Sequence, residues 1–197
     1  MSLIGYLFHD LAPALAVDDI DDILLNDCDI TSSESSQEKA GGSRIGRSSN
    51  LERDFAVAHK RIYNDYFAER PVYDSNLFRR RFRMRRALFL RIVAAVKDHD
   101  NYFLQRKNAI EELGLSTLQK CVAAIRILAY GCSYDAVDEY VKIGESTASE
   151  CLERFCDAII ALFGEEYLRS PTVDDLQRIM QENANRGFPG MIGSIDC

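Results

Sequence analysis

From about Leu51 onward, apolar residues return every three to four positions, the period of a helix with one face turned to a core. Phe55, Ala58, Ile62 and Tyr66 predict a helix over residues 52–69, which Pro71 closes. Phe78 and Phe82, four apart after Ser75, predict a short turn or helix. In residues 85–100, Leu88, Phe89, Ile92, Val93 and Val96 fall on one stripe of an amphipathic helix. Ser116 is the expected N-cap of the next helix, with Leu118, Cys121, Val122, Ile125, Leu128 and Ala129 as its core face and Gly131 as its stop. Ser133 is expected to cap a short helix through Tyr140, residues 142–145 to turn, and Ser146 to cap a third helix. That helix has the stripe Ala148, Cys151, Leu152, Phe155, Ile159 and Leu162, and Gly164 as its end. Asp174 and Asp175 begin one more helix through about Ala184, where acids suit the positive end of the helix dipole. Up to Arg186 the pattern predicts helices alone. The fold class is therefore mainly α, a helical bundle over residues 51–185.

Residues 1–50 lack this period. An apolar head, MSLIGYLFHDLAPALAV, is broken by His9, Asp10 and Pro13. It lacks the basic flank of a signal peptide and the length of a membrane span. Asp18, Asp19, Asp21, Asp22, Asp27 and Asp29 follow, then a stretch of Ser, Gly and Glu with no aromatic residue. Such a segment cannot bury enough surface to offset its ordering entropy, so it is expected to be a largely disordered acidic tail.

Charge divides the chain in the same way. Residues 1–50 hold 9 acids and 3 bases, residues 51–100 hold 7 and 12, and residues 101–197 hold 15 and 9, for a net −7. With a pI near 5.0 the chain is no histone-like binder, and only its middle part could meet a phosphate backbone. There, Arg79, Arg80, Arg81, Arg83, Arg85 and Arg86 fall within eight residues, interleaved with Phe78, Phe82, Met84 and Phe89. Guanidiniums pair with phosphates in a fixed fork. Three readings stand side by side: contact with a DNA backbone, pairing with acids of the later helices, and a nuclear-targeting patch. The phenylalanines recur at helical spacing and read as core.

A long helix, a short helix, a tight turn and another helix over residues 116–163 follow the helix-turn-helix plan. Its third helix would enter a major groove, and its start offers Ser146, Thr147 and Ser149 to phosphates or base edges. Its outer face carries Glu150, Glu153, Arg154 and Asp157, however, an acidic balance that phosphates would repel. Sequence-reading by this helix and a purely structural or protein-contacting role both remain open.

The six cysteines, Cys28, Cys121, Cys132, Cys151, Cys156 and Cys197, form no CxxC pair. Cys121 and Cys151 lie on apolar stripes, which suits reduced thiols in a cytosolic or nuclear compartment. His9, His59 and His99 are scattered without ligand spacing.

The chain closes on RGFPGMIGSIDC. With DYFAERPVY, LFRRRFRM, FLRIV, LGLSTLQKC, LAYG, DAVDEYVKIGESTA and EYLRSP, in order, this ending resembles plant transposase-derived nucleases of the PIF/Harbinger type, over roughly three quarters of the chain. The resemblance implies a helical N-terminal part followed by an RNase H-like DDE domain that cleaves DNA with a divalent metal, Mg or Mn. It also implies that residues 186–197 are the first strand of that domain and that Asp196 is its first catalytic and metal-binding carboxylate. One carboxylate cannot clamp two ions in the tight oxygen coordination that such catalysis needs. The expectation is a truncated, nuclear, DNA-associated protein lacking a complete nuclease site. A protein-interaction scaffold is the alternative, and an endonuclease if the chain is part of a longer protein. One departure from the pattern is local: Arg85 and Arg86 follow the RM of FRRRFRM, where relatives place a small polar residue or proline, so the next helix start is expected to be poorly capped.

Overall fold

The computed structural model describes residues 53–107 and 113–193. The acidic tail expected at 1–50 and Asp196 of the closing motif lie outside the described residues. Within them the chain forms seven α-helices: α1 Phe55–Tyr66, α2 Ser75–Phe82, α3 Arg86–His99, α4 Thr117–Tyr130, α5 Asp138–Val141, α6 Glu145–Tyr167 and α7 Val173–Asn185, with 3-10 turns at Asn101–Phe103 and Asp135–Val137. The sole extended pairing among the described residues is an isolated bridge between Lys107 and Leu113.

The early helices bury the stripes their sequence predicts, except that Phe55 at the start of α1 is half-buried. α1 buries Ala58, Ile62 and Tyr66, α2 buries Phe78 and Phe82, and α3 buries Leu88, Phe89, Ile92, Val93 and Val96. Asp54 and Asp74 cap α1 and α2 by accepting from the amides of Val57 and Leu77, each at the third residue beyond the cap. α1 ends at Tyr66, five residues before Pro71, with a buried Phe67 as its C-cap. Tyr66, Phe67, Phe78, Phe82 and Phe89 then form one aromatic cluster, with centroids 4.5 Å apart for Phe78–Phe82 and 5.0 Å for both Tyr66–Phe82 and Phe82–Phe89. The last two pairs are edge-on, and aromatic pairs of this kind contribute about 0.5–1.5 kcal/mol each beyond the area they bury.

α4 is the axis of the bundle. Its first three turns are buried on every side, polar Gln119 and Lys120 included. Both polar side chains meet carbonyls: Gln119 donates to Val141 O at 3.1 Å, and Lys120 Nζ to Tyr102 O at 2.6 Å and Leu104 O at 3.0 Å. Ser116 and Gln119 form a reciprocal capping box at its start, and Gly131, at φ 60°, closes it in the left-handed conformation that glycine tolerates. The expected core positions Leu128 and Ala129 are exposed and half-buried, because α4 emerges from its neighbours beyond Ile127. α1, α2 and α3 all pack on α4, and α6 packs along α4 and α3.

Two helix boundaries differ from expectation. The short helix has no Ser133 cap; a 3-10 turn from Asp135 runs directly into α5. α6 begins one residue before Ser146, with Gly144 as a bare N-cap, and it continues through Gly164 to Tyr167. There Gly164 faces only Ile160 and Leu168 side chains at ordinary contact distance, so nothing forces the helix to stop.

Candidate nucleic-acid interface

The six arginines of the basic stretch lie at one end of the bundle, on the last turn of α2, the three-residue link and the start of α3. Arg83 is the α2 C-cap, held left-handed at φ 60°, and Arg85 is the α3 N-cap, without a side-chain cap bond. That helix start is therefore as bare as the sequence suggests. Arg79, Arg80, Arg83 and Arg85 are exposed, whereas Arg81 and Arg86 are half-buried. Among the described residues none of the six joins an ion pair with the later helices, one of the readings left open above. Instead, rings hold Arg81, Arg83 and Arg86. Arg81 lies 3.8 Å over Tyr73 and donates to the Tyr66 hydroxyl at 2.5 Å. Arg86 lies 5.9 Å from Phe78, and burial pulls its guanidinium below its ordinary pKa. A ring or a hydroxyl fixes a guanidinium without cancelling its charge, whereas a carboxylate does both.

The helix-turn-helix order is present: α4, the 3-10 turn with α5, a left-handed turn at Lys142 (φ 61°), then α6. The α6 start carries an exposed Ser146 and half-buried Thr147 and Ser149, none of them a cap. The outward base of this helix, Arg154, is occupied. It pairs with Glu150 at 3.1 Å and Asp100 at 3.4 Å and lies 4.5 Å over the Tyr102 ring. Glu145, Glu153 and Asp157 remain exposed around it, so the outer face of α6 keeps its acidic balance.

The sequence reading overlooked four residues beside the arginine cluster: Arg126, Tyr130, Tyr140 and Arg61. Arg126 and Tyr130 are four apart on α4, a spacing that marks one helix face. Nothing in the sequence could show that Tyr140 and Arg61 come to the same place. Tyr140 donates to Asp65 Oδ2 at 2.5 Å, and burial together with that bond keeps its hydroxyl protonated.

No disulfide joins Cys121, Cys132, Cys151 and Cys156, and burial pushes the Cys151 thiol up, away from reactivity. His59 is tied to the Ser116 hydroxyl at 2.8 Å. Among the described residues no group of three or more His, Cys, Asp or Glu side chains could hold a metal ion, and Asp196 lies outside them. No helix among them is long and apolar enough to cross a membrane. Residues 186–193 form turns and coil folded against the end of α7, with Asn183 donating to Met191 O at 2.8 Å.

No curated protein and no solved structure gives a match to the chain. Residues 59–97, which span α1 to α3 and the whole arginine stretch, match the model of a domain of unknown function, DUF8418. Residues 165–197, from the end of α6 through the closing motif, match the model of the plant transposon protein family, and this likeness supports a plant transposon-related, transposase-derived protein.

Proposed function

We propose that this is a Harbinger-type transposase-derived protein whose helical region associates with DNA through the arginine-rich junction of α2 and α3, and that it acts in the nucleus. The observation that carries the reading is electrostatic. Every arginine of that junction is without a carboxylate partner among the described residues. The one outward arginine of α6 is neutralised by two acids. A phosphate backbone is drawn to the first surface and repelled by the second. On this reading α6 is not the helix that enters the groove. Divalent-metal cleavage of DNA at Asp196 belongs to the family likeness, and no step of it is assigned to the described residues.

A salt titration with labelled duplex DNA tests this. Affinity should fall steeply between ~50 and ~200 mM salt. Replacing Arg79, Arg80 and Arg85 together by alanine should weaken binding by more than tenfold, while Ser146→Ala with Ser149→Ala should leave it within twofold. No binding to any duplex at ~50 mM salt would sink the reading. In that event the protein-contact alternative takes over. Its support is the run of exposed apolar side chains between Ile160 and Ile192, beside Glu165 and Glu166.

A further inference from the structure

Beyond the junction, arginine and tyrosine alternate across three more elements. Arg83, on the α2 cap, lies 6.0 Å from the Tyr130 ring of α4, and Arg126, one turn earlier on α4, lies 5.9 Å from the same ring. Arg126 is also 4.7 Å from the Tyr140 ring of α5, and Arg61 of α1 is 4.5 Å from that ring on its own account. The row Arg83–Tyr130–Arg126–Tyr140–Arg61 thus crosses the bundle and exists only once the chain has folded. Arg61 is further held by the carbonyls of Glu139, at 3.2 Å, and Tyr140. Asp65, four residues after Arg61 on α1, takes the Tyr140 hydroxyl rather than a guanidinium. No ion pair among the described residues involves Arg61, Arg83 or Arg126.

We infer that this row is a second line of phosphate-binding side chains, continuous with the α2–α3 arginines, and that its ligand is the sugar-phosphate backbone of nucleic acid. The inference rests on the DNA-binding reading above and extends it to residues that reading does not use. Three observations carry it. The rings and carbonyls fix the guanidiniums before any ligand arrives, so less side-chain freedom is lost on binding. They do so without removing charge, which leaves forked N–H donors for phosphate oxygens. Finally, Arg83 occupies a left-handed cap where an L residue is seldom found and glycine would be at ease, and such outliers cluster where a side chain is needed at that position. Tyr130 and Tyr140 are positioning residues in this arrangement. Tyr130, 49% exposed, holds two of the three arginines.

The test uses the full 197-residue chain, a labelled mixed-sequence duplex and fluorescence anisotropy over a range of salt, with thermal melts alongside. Arg61→Gln with Arg126→Gln should weaken binding by at least tenfold at ~50 mM salt. It should also make the log–log salt slope shallower by about two, since each lost phosphate contact removes about 0.9 from it. If that pair changes neither affinity nor slope while the Arg79, Arg80 and Arg85 alanine variant still weakens binding, the row is overturned and the DNA-binding reading stands. If neither variant changes anything, both fall. Should the double variant melt early, Tyr130→Leu decides. It retains every charge but releases Arg83 and leaves Arg126 only the Tyr140 ring, so affinity should drop several-fold with the slope unchanged, and unchanged affinity overturns the row.

Discussion

The two ends of this bundle are built from the same residue types in opposite ways. At the α1–α3 end, aromatic side chains are inside and arginines outside: Phe78, Phe82 and Phe89 are fully buried, and Arg81 and Arg86 above them meet rings. At the α6–α7 end the arrangement inverts. Arg169 is paired to Asp175 at 2.6 Å, and Arg178 and Arg186 stand 3.9 Å from Asp175 and Glu182. Meanwhile seven of the twelve exposed large hydrophobics among the described residues lie between Ile160 and Ile192. None of the apolar residues packed on the core comes from α7, whose one buried residue is the polar Asn183. The lesson is that charge left uncancelled and apolar surface left uncovered sit at different ends. The first end is a finished structure with a charged surface suited to polyanions. The second leaves the outer apolar side chains of α6, those of α7 and those that follow it without cover among the described residues.

The largest test of this contrast is on stability. Phe78→Ala removes the centre of a cluster in which Phe78 touches Tyr66, Phe67, Phe82 and Phe89. It should cost about 3–5 kcal/mol, enough to unfold much of a protein of ordinary stability. Phe188→Ala, at a ring 59% exposed, should change stability by less than about 0.5 kcal/mol. Urea unfolding followed by circular dichroism measures both. Similar costs at the two positions would erase the distinction between the ends.

Much of the first end is legible in the sequence, because a 3.6-residue period with clean polar gaps has one solution. Ala58, Ile62 and Tyr66 on α1 and the five-residue stripe of α3 are buried as the spacing implies. The same rule fails on α4. Periodicity assumes one covered face, whereas α4 is covered all round near its start and uncovered at Leu128. Helix ends are less legible than helix faces. Ser146 looked like a cap, but the turn at Lys142 lets α6 start from Gly144. The candidate interface was half legible. A run of six arginines is visible in any reading. Whether they meet acids or rings depends on Tyr66, Tyr73, Tyr130 and Tyr140, which arrive from other elements. Asp196 and residues 1–50 lie outside the described residues.

A smaller but sharper test uses the two capping boxes. Ser116 is 1% exposed, and its hydroxyl accepts from Gln119 N at 3.2 Å and meets His59 at 2.8 Å, tying α1 to the start of α4. Thr172 plays the same capping part for α7, accepting from Asp175 N at 3.2 Å, but in solvent. Ser116→Ala should lower global stability by about 1–2 kcal/mol, the upper range for a lost N-cap. Thr172→Ala should leave the global transition in place and speed amide exchange in α7 alone, as expected for a locally opening element. A common shift of the urea midpoint in both variants would mean that α7 is cooperative with the bundle after all.

The smallest expected effect distinguishes two acids with the same direction of shift. A side-chain hydrogen bond from Arg53 holds Asp138 below its ordinary value of 3.8, and the charge of Arg53 adds to this. Asp175 is held below the same value by hydrogen bonds from Arg169 and Thr172. A carboxyl whose folded pKa is depressed adds stability that is complete above its unfolded value and is lost as pH falls through the folded one. For Asp138 the bond, with Arg53 Nη2 at 2.6 Å, joins the segment two residues ahead of α1 to the start of α5. The loss should therefore register in global unfolding below about pH 4. Asp138→Asn should lower stability at neutral pH and flatten that acid limb, while Asp175→Asn should leave the global limb as it is and loosen α7 alone. Denaturant midpoints between pH 2 and 6, roughly spanning the carboxylate range, measure this. Equal flattening by the two variants would tie α7 to the bundle core and remove the difference between the ends on which the protein-contact alternative depends.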